Sequence, residues 1–331
     1  MSSGIDTIPD NDSLASPPKL STDTIRVFCG SDRSQQLPLQ VLTHSIERRT
    51  KSAVEVRAID NRMVPLPDDP RFAPYTEFSF ARFVIPALCE FSGKAIYMDS
   101  DMLVFADIAE LWATDLDGAK IAIEVGSRQQ SEVGKHSAVM LLDCTALDWD
   151  VTRIVADLGT RYDYKALMAI DPLLRPGEMR EAIVPGWNDL DAYDPTRTRN
   201  LHFSRIRSQP WVFAAHPHGQ LWVNEMALML DSGALHAAAV IEEVRLGYAR
   251  PSLLLQLGID ASGATTAAPV RDTDALLAHD RNAEFVAHRK LVARKAERKR
   301  AIARADCERA SARRPWLAPW YRLLFKLRQG G

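Results

Sequence analysis

The sequence predicts an α/β protein with a mostly parallel central sheet and a basic helical C-terminal extension. Short β-type runs alternate with segments of helical periodicity between residues 24 and 143, the pattern of strand–helix–strand units. The chain has 331 residues, 46% of them hydrophobic, which suffices for one large domain and an appendage. Residues 281–331 hold 15 Lys and Arg against 4 Asp and Glu, whereas the remainder of the chain is acidic.

The individual elements are predicted from local pattern. A β-type run that ends in glycine opens the alternation, and a segment with apolar residues at helical spacing follows it. The predicted strands are 24–30, 54–59, 94–98, 121–125 and 138–143, and the predicted helices include 37–49 and 78–89.

Composition divides the chain into four parts. Residues 1–23 are rich in Ser, Pro and Asp without apolar periodicity, which predicts a disordered tail. Residues 24–271 form the main domain, and residues 272–312 are predicted to be one long basic helix. Pro315 ends that helix, so that residues 313–331 form a separate aromatic and basic segment.

Several protein classes are excluded. No apolar run approaches the roughly 18 residues that span a bilayer, and the N-terminal residues lack the features of a secretory signal. Cys29, Cys89, Cys144 and Cys307 are scattered without CxxC spacing, which predicts free, mostly buried thiols in a reducing cytoplasm.

The strongest chemical signal is Asp99-Ser100-Asp101, which follows the predicted strand 94–98. Carboxylates two residues apart in extended structure project to one side, and the carboxyl ends of strands are where open α/β sheets bind ligands. Two carboxylates held close together repel each other unless a cation lies between them. The motif therefore predicts a cation site, with a solvated turn as the alternative.

This motif lies within an ordered series of short segments, namely Val27-Phe28-Cys29-Gly30-Ser31-Asp32, Leu42-Thr43-His44-Ser45-Ile46, Phe80-Ala81-Arg82-Phe83, Asp99-Ser100-Asp101-Met102-Leu103-Val104, Leu111-Trp112, Ser137-Ala138-Val139-Met140-Leu141-Leu142, His202-Phe203-Ser204 and Gln209-Pro210-Trp211. The series resembles glycosyltransferase family 8 over residues 24–235. The resemblance implies a type-A glycosyltransferase fold, a UDP-sugar donor, a divalent metal and retention of anomeric configuration.

The resemblance also implies a metal site. Asp99, Asp101 and His202 would be its ligands, and a set of oxygen atoms with one imidazole suits Mn²⁺ or Mg²⁺. The developing charge on the UDP leaving group explains the need for a Lewis acid.

Further site residues follow from the same resemblance. Arg82 would contact the diphosphate or the sugar, because a guanidinium pairs with phosphate oxygens in a bidentate way. The other implied donor-site residues are Gly30, Ser31 and Asp32 at the uridine, with Ser100, His136, Ser137 and Gln209.

Three positions depart from the family pattern. Asp163-Tyr164-Lys165 stands where the family has Asp-Gln-Asp, which makes Asp163 the candidate catalytic residue at the anomeric centre. Gln209 replaces a lysine at the diphosphate, where Arg205 or Arg207 would supply the charge instead. His136-Ser137-Ala138 replaces Asn-Ala-Gly beside the donor sugar.

The resulting hypothesis is a hexosyltransferase that acts on a glycan or glycolipid acceptor, as in lipopolysaccharide biosynthesis. The alternative is a non-catalytic protein of the same fold that binds a sugar nucleotide or glycan. A haloacid-dehalogenase-like phosphatase is disfavoured, because its DxD lies on the first strand and Gly-Thr follows it, whereas Met102-Leu103 follows here. The pair His216 and His218 is interpreted as part of a Pro/Gly loop.

The C-terminal segment predicts a membrane contact. On a helix, Leu317, Trp320, Tyr321 and Leu324 share one face and basic residues lie opposite. Such a helix can lie at the surface of an anionic membrane. Nucleic acid is not an expected partner, because no recognised binding fold accompanies the charge. Packing of the aromatic residues on the main domain is the alternative.

Overall fold

The computed structural model describes residues 24–74, 76, 78–130, 135–260, 262–264 and 268–329. The predicted disordered tail, residues 1–23, lies outside the described residues. The strands are β1 Ile25–Gly30, β2 Val54–Ile59, β3 Lys94–Asp99, β4 Met102–Val104, β5 Ile121–Glu124, β6 Val139–Asp143, β7 Met179–Ile183, β8 Asp189–Leu190 and β9 Asn200–His202. The α-helices are α1 Gln36–Glu47, α2 Ile85–Leu88, α3 Ile108–Trp112, α4 Ser127–Gln130, α5 Val151–Ala156, α6 Tyr164–Met168, α7 Gly219–Ser232, α8 Ala237–Arg245, α9 Ser252–Leu257, α10 Thr273–Asn282, α11 Arg289–Arg313 and α12 Ala318–Gln329.

The central sheet has six strands in the order β2-β1-β3-β6-β5-β7. Within it, β6 alone runs antiparallel to its neighbours, so five of the six strands share one direction. Gly30 at the end of β1 is opposite both Ile59 and Asp99, which brings the carboxyl ends of three strands to one edge. The predicted α/β fold with a mostly parallel sheet is confirmed.

Both faces of this sheet are buried. Alternate residues point to opposite sides of a strand, and in β3 Ile96 packs in one core cluster while Tyr97 packs in the other. Helix α1 covers the first of these faces with Leu42 and Ile46. The four cysteines are free thiols, three of them buried, as the sequence predicts.

A second, three-stranded sheet has the order β4-β9-β8. Strands β4 and β9 are antiparallel with Met102 opposite His202. The backbone N–H of Phe203 donates to the carbonyl of Asp101 at 2.9 Å. This small sheet therefore places strand β9 and Phe203, which come late in the chain, next to Asp101, which follows β3.

The predicted continuous helix over 272–312 is instead two helices, α10 and α11, separated by residues 283–288. Phe285 and Ala287 in this break pack against the core cluster to which helices α7 to α9 contribute. Two residues of the break, Glu284 and His288, have left-handed φ values of 50° and 52°. Packing of the partly buried Phe285 thus outweighs the helical propensity of the surrounding residues. Within the described residues, no helix is both long and apolar enough to cross a membrane.

Candidate active site

The two sheets bring three side chains together at the carboxyl end of β3. Asp99 ends that strand, Asp101 follows it, and His202 ends β9. Their ligand atoms lie within 4.8 Å of one another, and Nε2 of His202 is 3.2 Å from Oδ1 of Asp101. Among the described residues, this is the only group of three His, Cys, Asp or Glu side chains close enough to hold a metal ion.

Hydrogen bonds orient two of these side chains. Nδ1 of His202 donates to Oδ1 of Asn188 at 2.9 Å, which leaves Nε2 facing the carboxylates. The side-chain amide of Gln209 donates to Oδ2 of Asp101 at 2.8 Å, so that Oδ1 faces His202. Partners of this kind commonly orient metal ligands and raise their basicity.

Asp99 is held from its other side. The hydroxyl of Tyr97 donates to its Oδ1 at 2.6 Å, and the guanidinium of Arg82 lies 3.7 Å away. Burial raises the pKa of Asp99, and the charge of Asp101 raises it further, while Arg82 opposes both. A cation between the two carboxylates would relieve this repulsion.

The electrostatics of His202 agree with a cation-binding role. Burial lowers its pKa, but the carboxylates of Asp101 and Asp99 outweigh burial and raise the pKa above its ordinary value. Since Nδ1 donates to Asn188, a neutral imidazole would direct the Nε2 lone pair at Asp101. A proton on Nε2, or a metal ion bound to it, would remove the repulsion between this lone pair and the carboxylate. The residues present therefore fit a divalent cation bound by two carboxylates and one imidazole.

Arg82 lies in the short 3₁₀ helix Ala81–Val84 and points inward rather than to the surface. It is 7% exposed and donates to the Oγ and backbone carbonyl of Ser137 at 2.8 and 3.1 Å. It also donates to the Tyr97 hydroxyl at 3.1 Å and lies 4.5 Å from the centroid of that ring. This network fixes one positive charge beside Asp99.

These residues line a cleft of about 270 Å³. The residues of the cleft that the sequence predicts are Asp32, Arg82, Asp99, Asp101, His202 and Gln209. The other lining residues were not predicted as site residues; they include Tyr164 and Met168 from one face of α6, and Leu291 from α11. The only sequence signal for the first two is their spacing of four residues on a helix, which core-facing residues share.

The predicted nucleotide loop borders the same cleft. The space that a side chain would occupy at Gly30 holds Phe78 and the Tyr97 hydroxyl, 2.7 and 2.8 Å from an added Cβ. Ser31 and Asp32 are buried, and Oδ1 of Asp32 accepts from the backbone N–H of Ser34. Asp32 also borders a neighbouring cavity of about 680 Å³.

The remaining predicted donor-site residues lie in the layer behind the cleft. Ser100 is buried, and its hydroxyl has no hydrogen-bond partner among the described residues. His136 lies 3.2 Å from the carbonyl of Ala169, and the Ser137 hydroxyl donates to the carbonyl of Met168. These bonds hold the C-terminal end of α6.

Asp163, the candidate catalytic residue, is exposed at the N-terminus of α6. Its Oδ1 accepts from the backbone N–H of Ala166 at 2.7 Å, which is a helix cap. The structure places its neighbour Tyr164, rather than Asp163, in the lining of the cleft. The catalytic role of Asp163 stays a prediction.

The arginines predicted to contact the diphosphate, and the histidine pair predicted to belong to a loop, lie as follows. Arg205 is the N-cap of the short helix Ile206–Ser208 and Arg207 lies within it; both are exposed and outside the lining of the cleft. His216 lies in the loop before α7, where its Nε2 is 3.5 Å from the carboxylate of Asp191.

A model of the family described as glycosyl transferase family 8 matches residues 33–147. This segment belongs to glycosyltransferase family 8. The family 8 segment contains Arg82, Asp99, Asp101, His136 and Ser137. The third predicted metal ligand, His202, follows this segment in the chain.

One curated relative is Protein CDI of Arabidopsis thaliana. It is 42% identical over 102 residues, which cover 30% of this chain and 39% of the plant protein. The aligned region thus spans well under two thirds of that protein.

Three solved glycosyltransferases are similar in structure at low sequence identity. The apo structure of the bifunctional WbbM is 12% identical with a TM-score of 0.47, covering 62% of this chain and 50% of that chain. GlyE of Streptococcus pneumoniae TIGR4 is 16% identical with a TM-score of 0.47, covering 69% and 65%. Galactosyltransferase LgtC, in complex with donor and acceptor sugar analogues, is 15% identical with a TM-score of 0.40, covering 61% and 94%.

Proposed function

We propose that this protein is a metal-dependent, retaining glycosyltransferase that moves a hexose from a UDP-sugar to a hydroxyl of a glycan or glycolipid. The observation that carries the proposal is the cluster of Asp99, Asp101 and His202 in the lining of a cleft, within a chain that contains a family 8 segment. The cluster offers the ligand types that Mn²⁺ or Mg²⁺ takes in proteins.

A divalent cation bound there would neutralise charge that develops on the diphosphate leaving group. The chain supplies the rest of the electrostatic environment. Arg82, fixed by Ser137 and Tyr97, presents a preorganised positive charge on the same side of the cleft. Tyr97 holds the Asp99 carboxylate in place by its hydrogen bond.

The neighbouring cavity suits the nucleoside of the donor. Its volume of about 680 Å³ falls within the range of small-ligand pockets, and Asp32 connects it with the cleft. Asp60, Asn61 and Arg62 line its far side and offer hydrogen-bonding groups for a base and a ribose. We therefore assign the uridine to this cavity and the diphosphate to the cleft.

Retention is compatible with direct transfer on the front face of the sugar, within an ion pair. Such a reaction needs no strong nucleophile from the protein. The cleft wall formed by Tyr164 and Met168 carries no carboxylate of its own. These two side chains would shape the space beside the anomeric carbon.

The decisive experiment is a donor screen that measures UDP release from UDP-sugars with Mn²⁺ and with EDTA. We expect release from at least one UDP-hexose with Mn²⁺ and none with EDTA. UDP binding without turnover of any donor would favour the alternative, a non-catalytic binding protein.

We also propose that the C-terminal segment attaches the enzyme to an anionic membrane, which would bring it to a glycolipid acceptor. Trp316, Trp320 and Leu323 are 75%, 54% and 55% exposed at the start of α12 and just before it. Exposed tryptophans beside basic residues are typical of helices that lie at the membrane surface.

A further inference from the structure

The residue before α11 has an unusual conformation. His288 is the N-cap of that helix, with φ of 52° and ψ of 36° in the left-handed region. Its side chain makes no capping hydrogen bond and is buried, with 8% of the residue exposed. Residues other than glycine occupy this region at an energetic cost and persist there when surrounding contacts demand it.

The imidazole is turned toward Gln209, which lines the cleft. Its Nε2 lies 3.0 Å from Oε1 of Gln209, the residue that bonds to Asp101. Burial lowers the pKa of His288, and a hydrogen bond with the backbone of Ile206 opposes this shift.

The surroundings of Gln209 fix the direction of this bond. Its amide nitrogen donates to Oδ2 of Asp101 at 2.8 Å and to the carbonyl of Phe203 at 3.0 Å. A carboxylate and a carbonyl only accept, so both amide hydrogens are used and Oε1 is left as an acceptor. Nε2 of His288 must then carry the proton and donate to Oε1.

We infer that His288 is a positioning residue for the metal site, acting through Gln209 on Asp101. The inference rests on the proposed function and extends it to a part of the chain outside the family 8 segment. Without the donor at His288, Oε1 of Gln209 loses its partner, and only the contacts with Asp101 and Phe203 hold the amide. Oδ1 of Asp101 would then lose its orientation toward His202.

Two further contacts make the first turns of α11 part of the cleft. Leu291 lines it, and the guanidinium of Arg294 lies 3.7 Å from the carboxylate of Asp32. Farther along, Arg298 donates to the backbone carbonyl of Arg71 at 2.9 Å. The basic helix is thus anchored along the donor side of the domain, with His288 at the anchored end.

The test compares His288→Ala with His288→Gln. Both replacements carry a Cβ, so both bear the same left-handed backbone, but only glutamine can donate a hydrogen bond at a similar reach. Mn²⁺ binding in the presence of UDP is measured by electron paramagnetic resonance of the free ion, and the melting temperature is measured without metal. His236→Ala, an exposed N-cap histidine of α8, is the control.

We expect His288→Ala to weaken Mn²⁺ binding by about 10-fold, the lower end of the effect of losing a direct partner of a metal ligand, because His288 acts through Gln209. His288→Gln should restore binding to within about 3-fold of the parent, and His236→Ala should leave it unchanged. Equal Mn²⁺ affinity in His288→Ala and the parent protein would overturn the inference. So would equal losses in both His288 variants together with lower melting temperatures, because that result describes a structural role alone. A parent protein that bound no Mn²⁺ would instead refute the proposed function, and the inference with it.

Discussion

The carboxylate of Asp101 and the imidazole of His202 face each other across 3.2 Å because β4 and β9 pair with Met102 opposite His202. One backbone hydrogen bond, from Phe203 to the Asp101 carbonyl, closes this register. Two short strands therefore place an imidazole beside a pair of carboxylates that would otherwise repel each other.

The first prediction concerns this cluster. Asp101→Asn removes a negative charge from the proposed metal site, and we expect turnover to fall at least about 100-fold, the scale of losing one preorganised electrostatic group. EDTA should abolish the activity of the parent enzyme and Mn²⁺ should restore it, as measured by UDP release.

Asp231→Asn, on the exposed side of α7, is the matched control and should retain full activity. Unchanged turnover in Asp101→Asn, or full activity of the parent in EDTA, would refute the metal assignment.

The second prediction concerns the nucleotide. If Asp32, Arg82 and a bound cation form one site, UDP should raise the melting temperature only when Mn²⁺ or Mg²⁺ is present, because ligand bound to the folded state stabilises it by mass action. Differential scanning fluorimetry with UDP, ADP and GDP provides the measurement. A shift with ADP or GDP and none with UDP would mean that the cavity beside Asp32 holds a different base.

The third prediction concerns Glu124 at the end of β5. Burial raises its pKa to about 7, although the backbone N–H of Asn188 donates to it at 2.6 Å. The folded protein therefore keeps this proton to higher pH than the unfolded chain. Stability from this group is complete at low pH and is lost as the pH rises through about 7.

Glu124→Gln should remove this loss. Since one pKa unit corresponds to about 1.4 kcal/mol, the parent should lose roughly 2.5 kcal/mol relative to the variant between about pH 5 and pH 8. Urea unfolding at several pH values measures the difference, and Glu47→Gln on the exposed end of α1 is the control. Parallel pH profiles for the parent and Glu124→Gln would contradict the prediction.

The fourth prediction concerns the C-terminal segment. The full-length protein should co-sediment with anionic vesicles but not with neutral ones, and should detach at high salt, because each basic residue near the surface adds roughly 1 kcal/mol. Removal of residues 313–331 should weaken this binding and leave metal-dependent UDP binding intact.

A double variant, Trp316→Ser with Trp320→Ser, isolates the aromatic contribution and should also bind vesicles more weakly. Leu228→Ser, an exposed apolar residue of α7, is its control. If the truncated protein bound vesicles as well as the full chain, the membrane proposal would be wrong.

The sequence by itself determined the parts of the protein that depend on local pattern. Strands β1, β2 and β3 were predictable because β-type runs alternate with helical spacing along continuous segments. Asp99 and Asp101 were predictable as a pair because the i, i+2 spacing of a strand already places them on one side.

Only the tertiary structure determines which side chains lie beside Asp99 and Asp101. Pairing of β4 with β9 places His202 beside Asp101. The break between α10 and α11, where Phe285 packs on the core, places His288 next to Gln209. The C-terminal end of α6 contributes Met168, while the cap residue Asp163 stays outside the cleft lining. Periodicity describes which face of an element is buried, but contacts between distant segments depend on strand register and on competition among apolar residues for the core, which local pattern does not encode.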